Sequence, residues 1–366
     1  MFYNEELVSI INNVLKSGIF VRGENTRKFE KNWAQYCNQK YSITFNSGTS
    51  ALSSIISFLK TKYGAFDVIL PSFTFIANIL PIISSNLNPV FVDVNEQNYC
   101  VALKKVRSKI TKNTHLIIIV DLYGTSIEKE EFYKFCKENE IFLLEDACQA
   151  AGLVFNGNKP GTYADATIYS FYPSKNISVL GEGGMVTTNN RDLYEYCLKF
   201  RNYGLNKDGV AEVNGINGFL SEIHSAIGLY QIPLLDKWNQ KRKDIAKRYI
   251  LGLKELIENN QIITPTIEQI PNHVFHLFVI RLKNRDALKR YLSENGIQSK
   301  IHSPVPLHLH PLVKTYLNTH RRNNDNFNDL QITENLVKEV LSLPISPFHT
   351  EEEIDFVIEQ IISFFN

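Results

Sequence analysis

The chain has 366 residues, 44% of them apolar, enough to build more than one hydrophobic core. Its formal net charge of +1 excludes a global electrostatic pull toward nucleic acid or an anionic membrane and leaves room only for a local basic pocket. Cys37, Cys100, Cys136, Cys148 and Cys197 are scattered, odd in number and without a CxxC pair, which argues against a disulfide scaffold or a structural zinc site and fits thiols in a reducing compartment.

Residues 1–20 read as an amphipathic helix, lacking the basic segment, apolar core and small-residue cleavage site of a signal peptide. No apolar run approaches the roughly 18 residues a membrane helix needs. The expectation is a soluble, cytoplasmic protein with no membrane or nucleic-acid partner. Residues 46–59 read as a turn and a helix. Short apolar strands are expected at 68–71, 90–94, 116–121 (LIIIVD), 141–146 (IFLLED), 166–171 and 184–188, with a helix at 128–140. Aliphatic, largely β-branched runs alternating with helices predict a mostly parallel sheet covered on both faces, hence an α/β fold. Polar residues punctuate the strand ends at Asp121, at Glu145-Asp146 and from Ser170 onward, where ligand sites of such sheets collect. After about residue 230 the character changes: a charged helix over 230–253, a strand over 273–282, a helix over 285–295, a strand over 300–303 and a final helix over 351–365. That order predicts a small α+β domain, giving a division into 1–240 and 241–366 within a linking helix.

Three segments carry the chemistry. In 169–190 (YSFYPSKNISVLGEGGMVTTNN), a strand ends, a single lysine follows in a loop, and glycines lead into a second strand. Lys175 is flanked by aromatics and glycines rather than charges. Such a lysine is a nucleophile if a dry site lowers its pKa, or a solvated loop residue before a hairpin if not. In 143–152 (LLEDACQAAG) two carboxylates close an apolar strand. A buried carboxylate needs a cation, and a pyridinium nitrogen is one; a helix cap is the plain alternative, and the surroundings offer too few further ligands for a metal. In 45–52 (FNSGTSAL) backbone N–H groups and hydroxyls open a helix, either as a phosphate seat or as an ordinary cap. An amine for an aldehyde, an acid for a ring nitrogen and a seat for a phosphate together fit pyridoxal 5'-phosphate (PLP).

Those blocks, with LPSFTFIAN, PVFVDVN, DLYG, RNYG, GINGFLSEIHSAIGL, HVFHLFVIRL and PLHLHP, stand in one order over nearly the whole chain. In that order they resemble the DegT/DnrJ/EryC1/StrS family of PLP-dependent sugar aminotransferases. The resemblance implies the aspartate-aminotransferase-like fold (PLP fold type I), with a large α/β domain, a small domain and a homodimer sharing its active sites. It also implies roles. Lys175 is the Schiff-base lysine and Asp146 the pyridinium partner. Gln149 lies by the ring hydroxyl and Phe75 stacks on the ring, unless it is plain core. Gly48, Thr49 and Ser170 hold the phosphate, and Asn217 reaches the phosphate in the neighbouring subunit. Tyr172, Arg201, Phe219, His308 and His310 are the substrate-side candidates. Arg201 could bind a diphosphate or pair with an acid, and the histidines could be structural. Phe219 stands where many relatives carry a basic residue.

The implied reaction moves an amino group from L-glutamate to a dTDP- or UDP-linked keto-deoxy sugar, in deoxyamino-sugar or surface-polysaccharide (O-antigen, lipopolysaccharide) biosynthesis. YPSKN resembles members acting at C3 of the sugar, whereas NGFLSEIHSA resembles members acting at C4. The expectation is a 4-keto-6-deoxyhexose, with the 3-keto isomer as the alternative. A PLP-dependent sugar dehydratase and a non-catalytic regulator on the same fold are further alternatives. Relatives that dehydrate carry histidine at the position of Lys175.

Overall fold

The structure, a computed structural model, describes residues 4–320 and 327–366. Seven strands form the main sheet: β1 (Tyr41–Phe45), β2 (Asp67–Pro71), β3 (Asn88–Val92), β4 (Thr114–Val120), β5 (Phe142–Asp146), β6 (Ala166–Ser170) and β7 (Gly184–Thr188). Their order is β1-β7-β6-β5-β4-β2-β3, with β7 antiparallel to both its neighbours and the other pairs parallel. Nearly every residue of these strands is buried, as expected of a sheet covered on both faces.

The two faces can be read from alternation along β6 and β7. Ile168 and Val186 join a core built on the Gly48–Tyr63 helix, while Tyr169 and Met185 join Phe29, Trp33 and Phe171 in the opposite layer. Trp33 meets Tyr169 and Phe171 edge-on at 5.0 and 5.2 Å, so an aromatic cluster underlies the strand that leads to Lys175.

The expected helix over 230–253 is broken. Glu222–Gln231 ends at a tight turn, Ile232–Leu234, and Leu235–Gly252 follows. Pro233, which lacks an N–H, sits in that turn. The Leu235–Gly252 helix contributes Leu235 to the core beside β6 and Ala246, Tyr249 and Ile250 to a separate C-terminal core. That second core rests on a two-stranded sheet, β8 (Phe278–Arg281) paired antiparallel with β9 (Val340–Leu343), and on the helices Arg285–Glu294 and Glu351–Phe365. Residues 300–303 are not the expected strand: Lys300 makes one isolated bridge to Ser342, and β9 takes the place beside β8. Val313, Leu317 and Leu336 pack back against the main-sheet core. Among the described residues no helix is long and apolar enough to cross a membrane.

Candidate active site

The carboxyl ends of β5 and β6 lie side by side, with Asp146 in register with Ile168, so Asp146 and the loop after Ser170 emerge at one edge. Asp146 is buried. Its Oδ1 accepts the Cys148 N–H at 2.9 Å, and its Oδ2 accepts Nδ2 of Asn78 at 2.8 Å. Both donors are neutral, so neither balances the buried carboxylate's charge; a protonated ring nitrogen would.

Lys175 is half-buried in a turn closed by its own N–H bonding to the Tyr172 carbonyl at 2.8 Å. The loop is pinned on both sides. Phe171 donates to Gly183 at 2.8 Å, and Val179 donates back to Phe171 at 3.0 Å. Asn176, buried, donates through Nδ2 to Asn239 Oδ1 at 2.7 Å and to the Val274 carbonyl at 2.9 Å. Burial pushes the Lys175 ammonium below its ordinary value, against the opposing pull of Cys148 and Asp146. His276 and His302 are pushed down by burial and by the charge of Lys175, so neutral imidazoles surround the amine.

The Gly48–Tyr63 helix begins beside this pair. Its cap residue Ser47 accepts the Ser50 N–H at 3.1 Å, which leaves the N–H groups of Gly48 and Thr49 at the helix start for an anion. A Cβ added to Gly48 would lie 3.3 Å from both Ser170 Cβ and Cys148 Sγ, so the loop touches the ends of β5 and β6. At Gly184 a Cβ would come within 2.3 Å of the Ser47 carbonyl; only glycine admits the loop there. The structure thus brings Gly48, Thr49, Ser170, Asp146 and Lys175 to one place.

Phe75 is 60% exposed, unlike a core aromatic. With Thr74, Tyr123, Gln149, His302 and Ser303 it lines a small cavity. Gln149 Oε1 accepts the Tyr123 N–H at 2.7 Å. That bond fixes the amide with its NH2 group as the available donor, suited to a phenolate oxygen. These residues fit PLP: N–H groups and Ser170 for the phosphate, Asp146 for the ring nitrogen, Gln149 for the ring oxygen, Phe75 for the ring face and Lys175 for the aldehyde.

The substrate-side candidates separate. Arg201 turns inward. Its Nη1 meets Glu30 Oε1 at 2.5 Å and the Thr44 carbonyl and hydroxyl at 3.0 and 2.9 Å. This corrects the diphosphate reading: an arginine spent on an internal acid is not available to a ligand. His308 is fully buried, bonded through Nδ1 to Ser72 at 2.6 Å and through Nε2 to Glu334 at 3.3 Å. It ties the later chain to the end of β2, which corrects the expectation of substrate contact. His310 is half-buried ahead of the Pro311–Thr319 helix, and Tyr172 is exposed. Phe219 is half-buried under the guanidinium of Arg22, 4.0 Å from its ring centre. Asn217 is exposed, and its carbonyl accepts Nδ2 of Asn46 at 3.0 Å beside the phosphate loop.

Sequence reasoning missed Asn78, Tyr123, Asn176 and His302. Asn78 and Tyr123 lie within the quoted blocks LPSFTFIAN and DLYG, and Asn176 adjoins Lys175; their types alone carried no chemistry.

Residues 3–362 match the family model described as the DegT/DnrJ/EryC1/StrS aminotransferase family. Over 361 residues the chain is 38% identical to the dTDP-3-amino-3,6-dideoxy-alpha-D-galactopyranose transaminase of Aneurinibacillus thermoaerophilus, covering 99% of this chain and 96% of that protein. Among solved structures it is similar to S. venezuelae DesV in complex with a ketimine intermediate (TM-score 0.90, 30% identity, 98% of this chain and 94% of that one). It is also similar to NtdA from Bacillus subtilis with bound cofactor PMP (TM-score 0.85, 31% identity, 98% and 82%).

Proposed function

The chain belongs to the DegT/DnrJ/EryC1/StrS aminotransferase family, and from that premise we propose that it moves the amino group of L-glutamate to C3 of a dTDP-linked 3-keto-6-deoxyhexose. That it is a PLP-dependent sugar aminotransferase follows from the family and from its named relatives. The observation that carries the C3 assignment is the 38% identity, across 99% of the chain, to a transaminase named for a 3-amino-3,6-dideoxy sugar. The SFYPSKN block points the same way. The NGFLSEIHSA block favours a second reading, amination at C4.

PLP, when bound, supplies an electron sink for the carbon that loses its proton. The protein supplies the rest. The N–H groups of Gly48 and Thr49, with Ser170, hold the phosphate. Asp146 keeps the ring nitrogen protonated. Phe75 covers the ring face and excludes water. Lys175 Nζ, whose ammonium form burial disfavours, takes a proton from the donor's α-carbon and returns it one position along.

The site is proposed to be completed by a second copy of the chain. Ile19, Phe20, Val21 and Tyr203 are each exposed and apolar. They form one surface with Asn217: Val21 bridges Ser221, Asn202 bridges Asn217, and the Tyr203 N–H bonds to Ile216. An apolar patch around an outward-facing asparagine suits a twofold interface in which Asn217 reaches the partner's phosphate. Five free thiols support a reducing compartment.

The test is a substrate panel. The purified protein, PLP and glutamate are incubated with dTDP-linked 3-keto and 4-keto hexoses, their UDP counterparts and a keto sugar phosphate, and products are identified by mass and NMR. A 3-amino dTDP sugar is expected. A 4-amino product moves the assignment to C4, and no amino sugar from any acceptor sinks the nucleotide-sugar reading.

A further inference from the structure

The acid proposed to face the ring nitrogen does not orient itself. Asp146 has a neutral donor on each oxygen: the Cys148 N–H, two residues along its own chain, and Asn78, which arrives from a different element. Asn78 is 3% exposed and closes the short helical turn Ile76–Asn78. Its amide spends both hydrogens in defined directions, one on Asp146 Oδ2 at 2.8 Å and one on Thr74 Oγ1 at 2.9 Å. Phe75, the residue proposed to cover the ring, caps the same turn, and the Asn78 N–H bonds to the Phe75 carbonyl at 3.1 Å. The ring-covering aromatic and the donor to the acid are therefore parts of one backbone unit.

We propose that Asn78 is a positioning residue, which locks the Asp146 carboxylate in the rotation that faces the ring nitrogen of PLP and ties that rotation to the placement of Phe75. The physical reason is geometric. A carboxylate can turn about its Cβ–Cγ bond unless both oxygens are held. The Cys148 N–H fixes one oxygen; Asn78 fixes the other and leaves its remaining lone pairs toward the cavity. The amide hydrogen also lies against the oxygen that would otherwise be free to turn away from the ring nitrogen. Thr74 Oγ1 accepts the amide's other hydrogen and so holds the side chain beside the carboxylate. This inference rests on the reading of Asp146 as the partner of the ring nitrogen.

The experiment is a double-mutant cycle on PLP binding, using wild type, Asn78→Leu, Asp146→Ala and the double variant. Asn78→Leu removes the donor at similar size. Its PLP dissociation constant should rise about tenfold, the worth of a hydrogen bond to a charged group. In the Asp146→Ala background the same substitution should change it by less than about twofold, because the interaction it removes is already gone. In Asn78→Leu holoenzyme, the pH midpoint of the bound cofactor's visible absorbance should move upward. A ring nitrogen whose positive charge is less secure repels a proton on the Lys175–cofactor nitrogen less strongly. A merely structural asparagine would lower the unfolding temperature and leave both the coupling and the pH midpoint unmoved; that result overturns the proposal. If Asn78→Leu does not fold, Asn78→Thr, smaller and still a donor, is measured in the same cycle. Wild-type affinity, pH midpoint and coupling in that variant overturn the proposal, whereas a smaller shift in the same directions supports it. If Asp146→Ala binds PLP as wild type does, the reading of Asp146 fails first and takes the inference with it. If Asp146→Ala weakens binding while Asn78→Leu does not, the inference alone fails.

Discussion

Lys175 sits half-buried between Cys148 and Asp146 with its ammonium form disfavoured, and that has a consequence for stability as well as chemistry. Its folded-state pKa lies below the ordinary value of 10.5, which the unfolded chain retains. Below the folded value the protein therefore carries a proton that the fold would rather shed. The resulting cost disappears as pH rises toward 10.5. Lys175→Met should make the PLP-free protein more stable at neutral pH, and the gain should fade at alkaline pH. Urea midpoints at the two pH values measure it, and a variant less stable than wild type at neutral pH contradicts the burial argument. The activity should fall by a factor of about a thousand or more, since both the proton carrier and the cofactor's attachment are lost. Lys175 stood out in the sequence only in company: a lone lysine among glycines left a solvated loop residue open, and the acid block, the phosphate block and the family order gave it its expected role. Asn78 and Tyr123 did not stand out. An asparagine and a tyrosine in a loop have many uses, and only the folded chain shows that one bonds to Asp146 and the other to Gln149.

At the scale of elements, the ends of β4 and β5 are joined on the opposite side of the backbone from the cofactor site. Lys129 is buried with Asp121 at 2.9 Å and in contact with Glu145, and Glu145 Oε2 accepts the Gly161 N–H at 2.7 Å. Burial disfavours the Lys129 charge, but the two acids outweigh it and raise its pKa. Burial, with the charge of Glu145, raises Asp121 far above the carboxylate range despite Lys129. Removing the cation would leave two buried acids facing each other without the charge that both contact. Lys129→Met should cost about 3–5 kcal/mol of folding stability, as breaking a buried ion pair does. Denaturant unfolding measures it, and a loss under about 1 kcal/mol would mean that solvent or a shared proton already compensates the pair. The aliphatic strands of this region were legible because LIIIVD and IFLLED admit few other states. β9 was not. Val340–Leu343 follows the Gln331–Glu339 helix without a break, and Leu336, Val337, Val340 and Leu341 keep a helical spacing across the junction. The strand exists because β8 offers an edge, which is a tertiary fact.

At the scale of the whole molecule, the proposed dimer assigns one phosphate contact of each site to Asn217 of the second copy. Ile19, Phe20, Val21 and Tyr203 are exposed, and in that proposal they form the contact area. Nothing in the order of the sequence blocks could place 19–22 against 202–203 and 216–222; the bridges Val21–Ser221 and Asn202–Asn217 do. A shared site makes a prediction that an unshared one cannot. Lys175→Ala keeps its Asn217 but has no amine, and Asn217→Ala keeps its Lys175 but cannot complete its partner's site. Each homodimer should be nearly inactive. After the two variants are mixed and allowed to exchange subunits, half the dimers are mixed, and in each of those one site pairs an intact Lys175 with an intact Asn217. Activity should recover to about a quarter of the wild-type value per site, the fraction of sites that random exchange makes whole. Native mass spectrometry confirms the exchange independently of activity. Exchange without recovery would place Asn217 in its own subunit's site. A monomer that is fully active alone would remove the second copy from the mechanism altogether.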